Sequence, residues 1–236
     1  MAKSEFFREG DFDYTVERVP GRRTLSIHID AGRVRVKAPS RLKDARIREF
    51  VLSKSCWISR KLVQSARRMA EEPSHRFADG EMLPLLGKKL PLSVEVGPGR
   101  NGVSLSENGL VASLAFDSDR QSLPKIVERW YRARAREVFQ DRAAHFSGML
   151  GVTPAKITVR GQKRRWGSCS SRGNISLNWK LITGPPEILD YVVAHELCHL
   201  LHRNHGPEFW KALSGALPDF KTRRQWLKDN GHKLGL

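Results

Sequence analysis

Residues 191–210 read YVVAHELCHLLHRNHGPEFW, and the reading of the whole chain turns on them. His195, Glu196 and His199 form H-E-x-x-H, and His205 follows. On a helix, residues four apart project from one face, so His195 and His199 can offer ring nitrogens to one ion. Glu196 sits about 100° round the helix from His195. It would border the ion rather than bind it, which suits a general base taking a proton from the attacking water. An unbroken helix would turn His205 about 80° away from His195, so the helix must stop first. Asn204 tolerates the left-handed conformation, and Gly206-Pro207 blocks continuation, so the bend is expected at Asn204. The spacing of the three histidines equals that of H-E-x-x-H-x-x-G-x-x-H sites, with His202 in the glycine's place. His202 and Glu208 are the rival third ligands. A set of nitrogen donors with one position left to water suits Zn2+.

Just upstream, Thr183-Gly-Pro-Pro-Glu187 marks a helix start, with Pro186 fitting the first turn and Glu187 complementing the positive helix end. The helix is expected to run to about Arg203. The apolar Ile188, Leu189, Val192, Val193, Leu197 and Leu200 imply that it lies half-buried against a sheet. Pro207 opens a further short helix, and Asp219 is a candidate cap for one ending near Asn230-Gly231. Asn174–Asn178 alternates as a strand and reads as the sheet edge on which an extended substrate would pair, through Asn174, Ser176 and Asn178. Arg165 and Trp166, after the basic loop 162–165, border the same cleft. Tyr191, one turn before His195, is a candidate oxyanion donor or a core residue. Cys198 reads as core, and Cys169 as either core or cleft.

The rest of the chain sorts into two parts. Residues 1–117 read as β-rich with one long helix, and residues 118–236 as the domain carrying H-E-x-x-H. Residues 1–12 are expected to fray. Tyr14–Val19, Leu25–Ile29 and Val34–Ala38 alternate as strands, with Asp30-Ala-Gly32 as a hairpin turn. A single helix is expected over 42–70 behind a Ser40 cap. Short strands follow at Glu81–Leu86, Leu90–Val96 and across Val103–Leu114. From Ser122 the pattern is helical to Gly151, with Arg129, Arg132, Arg134 and Arg136 along it. No internal repeat is visible. The fold class is therefore α+β.

The net charge of +17 implies a strongly basic surface, which favours anionic partners such as nucleic acid. The three cysteines are too few and too scattered for a disulfide framework. The opening MAKSEFFREGDFDY lacks a long apolar segment, and no apolar run is long enough to span a bilayer. A cytoplasmic protein without a membrane partner is expected. Assembly state leaves no mark in the sequence.

Arg165-Trp-Gly-Ser-Cys-Ser170, Gly173-Asn-Ile-Ser-Leu-Asn-Trp179, His195-Glu-Leu-Cys-His199 and His205-Gly-Pro-Glu-Phe-Trp210 occur in this order, after Asp79-Gly-Glu-Met-Leu-Pro-Leu-Leu-Gly87. Together they resemble the YgjP-like metallopeptidases, relatives of the SprT-like and WLM peptidases. The resemblance implies a minimal zincin-like, gluzincin-type core and zinc-dependent hydrolysis of a protein or peptide substrate. It implies His195, His199 and His205 as ligands and Glu196 as base. The SprT-like relatives act on proteins attached to DNA, so a substrate near nucleic acid is a further expectation. Two rival readings stand beside it: a metal-dependent nucleic-acid hydrolase of the YbeY type, and a non-enzymatic nucleic-acid-binding module stabilised by zinc.

Overall fold

The computed structural model describes residues 4–162 and 164–236. The expected fraying of residues 1–12 fails where it can be read: Ser4–Glu9 is a strand, and residues 1–3 lie outside the described residues. So does Lys163 of the basic loop. The chain divides into two compact units, Met1–Glu72 and Pro73–Leu236.

The first unit holds strands β1 (Ser4–Glu9), β2 (Phe12–Val19), β3 (Ser26–Asp30) and β4 (Arg33–Pro39), then helices α1 (Asp44–Ser53) and α2 (Ser55–Ala70). The sheet order is β1-β2-β4-β3, with β2 and β4 parallel at its centre. Alternation puts Tyr14, Val16, Val34, Val36 and Ala38 on one face, where they meet Ile47, Val51 and Ile58 from the helices. The single helix expected over 42–70 is two helices, broken at Lys54. The cap is Lys43, without a side-chain bond, rather than Ser40.

The second unit opens with β5 (Met82–Leu85), β6 (Lys88–Val96), β7 (Gly102–Ser106) and β8 (Gly109–Leu114), in the order β5-β6-β8-β7. Again the central pair is parallel and the flanking pairs antiparallel. The four-stranded sheet thus occurs twice, where no internal repeat was expected, and its trace in the sequence is short. Val16-Glu17 and Pro20-Gly21-Arg22 match Val94-Glu95 and Pro98-Gly99-Arg100. After the next hairpin the spacing between matched positions shortens, as Tyr14 to Leu92 against Val34 to Leu110 shows. That slip breaks any constant period.

Helix α3 (Leu123–Leu150) follows, and ends at Gly151 in the left-handed conformation (φ 65°). A second sheet contains β9 (Lys156–Arg160), β10 (Gly167–Cys169) and β11 (Asn174–Asn178), in the order β10-β11-β9. Helices α4 (Pro186–Leu201), α5 (Pro207–Ala216) and α6 (Phe220–Asn230) complete the unit. Ile126, Val127, Tyr131, Ala135, Phe139, Ala143 and Phe146 form the buried stripe of α3. They share one core with Leu83, Leu92 and Leu110 of the first sheet and with Leu189, Val193 and Leu197 of α4. The Tyr131 hydroxyl donates to the Pro84 carbonyl (2.9 Å), and Arg142 grips Asp190 of α4 with two bonds (2.6 and 2.8 Å). This shared core is why the division falls between Glu72 and Pro73, whereas the change from strand-like to helical patterning suggested 117. The architecture is α+β, as expected. Among the described residues no helix is long and apolar enough to cross a membrane.

Candidate metal centre and its cleft

Helix α4 begins at Pro186, so His195 and His199 fall one turn apart near its end. It stops at Leu201. His202 is extended (φ −134°, ψ 110°), two residues before the bend expected at Asn204. That early break turns the chain so that His205 comes back over the helix. His205 Nε2 lies 3.1 Å from His195 Nε2, and one nitrogen from each of His195, His199 and His205 lies within 4.8 Å of the others. Nitrogens about 2.0–2.1 Å from a tetrahedral zinc would be about 3.3 Å apart, so the donor set fits the ion. His202 and Glu208, the rival ligands, line a separate groove with Leu150 and Lys211.

Each imidazole is held differently. His199 Nδ1 donates to the His202 carbonyl (3.1 Å), leaving Nε2 free to bind a metal. The Trp210 indole donates to the His205 carbonyl (3.0 Å), and its ring stacks on the His205 ring. His195 Nδ1 is buried without a partner among the described residues, so packing fixes that ring. The fully buried Phe209 forms the floor, its ring centre 5.0, 4.8 and 4.7 Å from those of His195, His199 and His205. Burial, then the neighbouring His199 and His205, push His195 down to about 3, so it is a neutral donor at pH 7.

Glu196 is 6% exposed, and burial raises its carboxyl to about 7. Its carboxyl lies against Gly167. A Cβ there would stand 2.5 Å from Glu196 Oε1 and 2.6 Å from Cγ. Gly167 therefore makes room for the carboxyl. In the sequence this glycine stands only within Arg165-Trp-Gly-Ser-Cys-Ser170, and no local pattern marks its contact with the distant Glu196.

The cleft of about 400 Å³ runs between β10 and α4, and its walls include Arg165, Ser168, Cys169 and Arg203 beside the three histidines and Glu196. Arg165 lines the cleft. Trp166 packs against Gly231 instead, and its carbonyl accepts from the Asn178 N–H (2.8 Å). β11 is not an edge, because β9 pairs with it on one side and β10 on the other. Ser176 Oγ is bonded to Thr158 Oγ1 (2.8 Å) across that pairing. Asn178 is 2% exposed, and its Nδ2 donates to the carbonyls of Gln162 (2.7 Å) and Arg165 (3.1 Å). The Asn174 N–H is not free to donate to a substrate either, since it donates to Ser170 Oγ (3.1 Å). The open edge belongs to β10, a three-residue strand in a Gly- and Ser-rich stretch that reads as loop. Cys169 lines the cleft, Cys198 is fully buried, and Tyr191 is buried with its ring 5.7 Å from that of His195.

The family model for the YgjP-like metallopeptidase domain matches residues 23–230. No curated protein matches the chain. The solved structures that are similar in part include two metallopeptidase zymogens. The metallopeptidase zymogen abylysin of Pyrococcus abyssi is 21% identical, with 41% of this chain and 99% of that one covered, at a TM-score of 0.37. The zymogen jannalysin of Methanocaldococcus jannaschii is 20% identical, with 39% and 88% covered, at a TM-score of 0.36.

Proposed function

Because the chain belongs to the YgjP-like metallopeptidase family, we propose that it is a zinc peptidase cutting extended protein segments laid along the edge of β10. The observation that carries this reading is the convergence of His195, His199 and His205 beside an open cleft. Three imidazole nitrogen donors with one side open match a catalytic rather than a closed structural zinc site. When bound, the ion supplies Lewis acidity that polarises the scissile carbonyl and makes water more acidic.

The chain's own residues do the rest. The backbone of β10 aligns the substrate as one more strand, which fixes the scissile bond over α4. Glu196 takes a proton from the attacking water as its oxygen bonds to the carbonyl carbon. It returns that proton to the amine nitrogen as the C–N bond breaks. Phe209 and the His202 carbonyl hold the imidazoles in place. The three free thiols fit a reducing, cytoplasmic setting.

The nucleic-acid hydrolase reading draws less support. Part of the basic face of α3 is matched within the protein, because Arg132, Arg134 and Arg142 each pair with a carboxylate. The test is Glu196→Gln, with casein, RNA and single-stranded DNA as substrates. Wild type should cleave casein, and the variant should keep its metal while losing proteolysis. Retained turnover in the variant, or cleavage of RNA alone, would overturn the proposal.

A further inference from the structure

The charge of this chain is unevenly spent. Beyond the matched arginines of α3, Arg48, Arg67 and Arg223 are also engaged by carboxylates. With 42 Lys and Arg against 25 Asp and Glu, many other basic side chains have no carboxylate to pair with, and Arg165 and Arg203 are set apart by their place in the cleft wall. Both are exposed and line the cleft, and among the described residues neither has a carboxylate partner. Arg203 makes one long bond, from its guanidinium to the Ser171 carbonyl (3.4 Å). Among the described residues Glu196 is the one carboxylate in the cleft wall, and it is buried. Their positions are ordered along the sheet edge. Arg165 precedes β10, and Arg203 is tied to the residue that follows Ser170 beyond its far end. A strand rises about 3.3 Å per residue, so the stretch from Arg165 to Ser171 matches about six residues of extended substrate.

We propose, resting on the peptidase reading, that the cleft selects acidic peptide segments, with carboxylate side chains on both sides of the cut bond. Arg165 meets one and Arg203 the other. A guanidinium matches a carboxylate with two parallel hydrogen bonds, and partners left unmatched in the free protein gain most from such a ligand. A sheet edge offers alternating N–H and C=O groups, which pair with a peptide backbone and not with a phosphodiester chain. That favours acidic protein over nucleic acid as the source of the negative charge.

The test uses the full-length Glu196→Gln protein loaded with zinc, so that binding is read without turnover. Three fluorescent probes are titrated: a short peptide with glutamates flanking a central apolar pair, its glutamine counterpart, and single-stranded DNA of similar length. The glutamate peptide should bind about 10-fold more tightly than its counterpart at low salt, and the gap should narrow as salt rises. Adding Arg165→Gln or Arg203→Gln should each remove several-fold of that preference. Arg203→Lys, which keeps the charge, should restore part of it, and thermal melts would confirm that each variant is folded. Equal affinity for the two peptides would overturn the proposal. So would a preference untouched by both substitutions, or DNA that outcompetes the acidic peptide. Wild type that cuts both peptides equally well would overturn it while leaving the peptidase intact. Wild type that cuts neither, beside a variant that still prefers glutamate, would sink the peptidase reading and leave the two arginine subsites standing.

Discussion

Gly167→Ala places a single methyl group against the proposed base. Its Cβ would lie 2.5 Å from Glu196 Oε1, 2.6 Å from Cγ and 2.8 Å from Cδ. Non-bonded atoms prefer about 3.5 Å, so something must move by about 1 Å. The backbone is no obstacle, because Gly167 lies outside the left-handed region. The carboxyl has little room to retreat, since Glu196 is buried. A displacement of about 1 Å in a catalytic group costs about 100-fold in rate, or about 2.7 kcal/mol of transition-state stabilisation. Overpacking adds about 1–3 kcal/mol of lost stability. The ligands lie on other side chains, so metal content should stay near that of wild type.

The assay is kcat and KM on a peptide substrate, with metal content and thermal melting measured on the same preparations. The loss should appear in kcat. Gly148→Ala is the control, because a Cβ there meets no atom within 4 Å, and alanine stabilises a helix interior by about 0.5–1 kcal/mol. A sharper arm combines Gly167→Ala with Glu196→Asp. The shorter side chain withdraws from the new methyl, so the double variant should be no slower than Glu196→Asp alone, a coupling that a general folding defect would not produce. Activity of Gly167→Ala within twofold of wild type would refute the reasoning. Either the carboxyl would have another position during turnover, or β10 would yield at no cost.

Two further outcomes are expected. Asn178→Ala removes two donors from the buried link to the Gln162 and Arg165 carbonyls; it should cost about 2 kcal/mol and lower activity with metal retained, and an unchanged melting temperature would contradict the role given to that link. His205→Ala should lose the metal as chelation of wild type does, whereas His202→Ala should keep it; elemental analysis reads both, and metal loss on His202→Ala alone would reverse the choice of third ligand.

The parts of the fold that rest on local chemistry are legible from residues alone. Pro186 and Pro207 open α4 and α5, Gly151 closes α3, and His195 and His199 share a helix face. What depends on distant pairing is not. β10 has three residues and no apolar alternation, and only its pairing with β11 makes it a strand. Without it, β11 inherits the edge, and Asn174, Ser176 and Asn178 are misread as substrate contacts. β1 fails to show for a related reason. Its side chains alternate weakly between half-buried and exposed, and its order comes from backbone pairing with β2. Helices α1 and α2 read as one because Ile47, Val51 and Ile58 keep a helical spacing across the break at Lys54. The floor under the three histidines was present in the letters Glu208-Phe-Trp210. Nothing in periodicity distinguishes a phenylalanine under three imidazoles from one in an ordinary core.

The end of α4 shows how one backbone event fixes several parts of the site. At His202 the chain leaves the helix in extended form, which turns its carbonyl toward His199 Nδ1 and sends the following residues back toward His195. The same break thus delivers the proposed third ligand and the acceptor that sets the tautomer of the proposed second. His202 competes for the metal on spacing alone, yet its contribution is made through its main chain. A φ of −134° is open to any residue, so this position does not need the glycine found in H-E-x-x-H-x-x-G-x-x-H sites. The side chain at 202 is therefore free to vary, while the direction of its carbonyl is not.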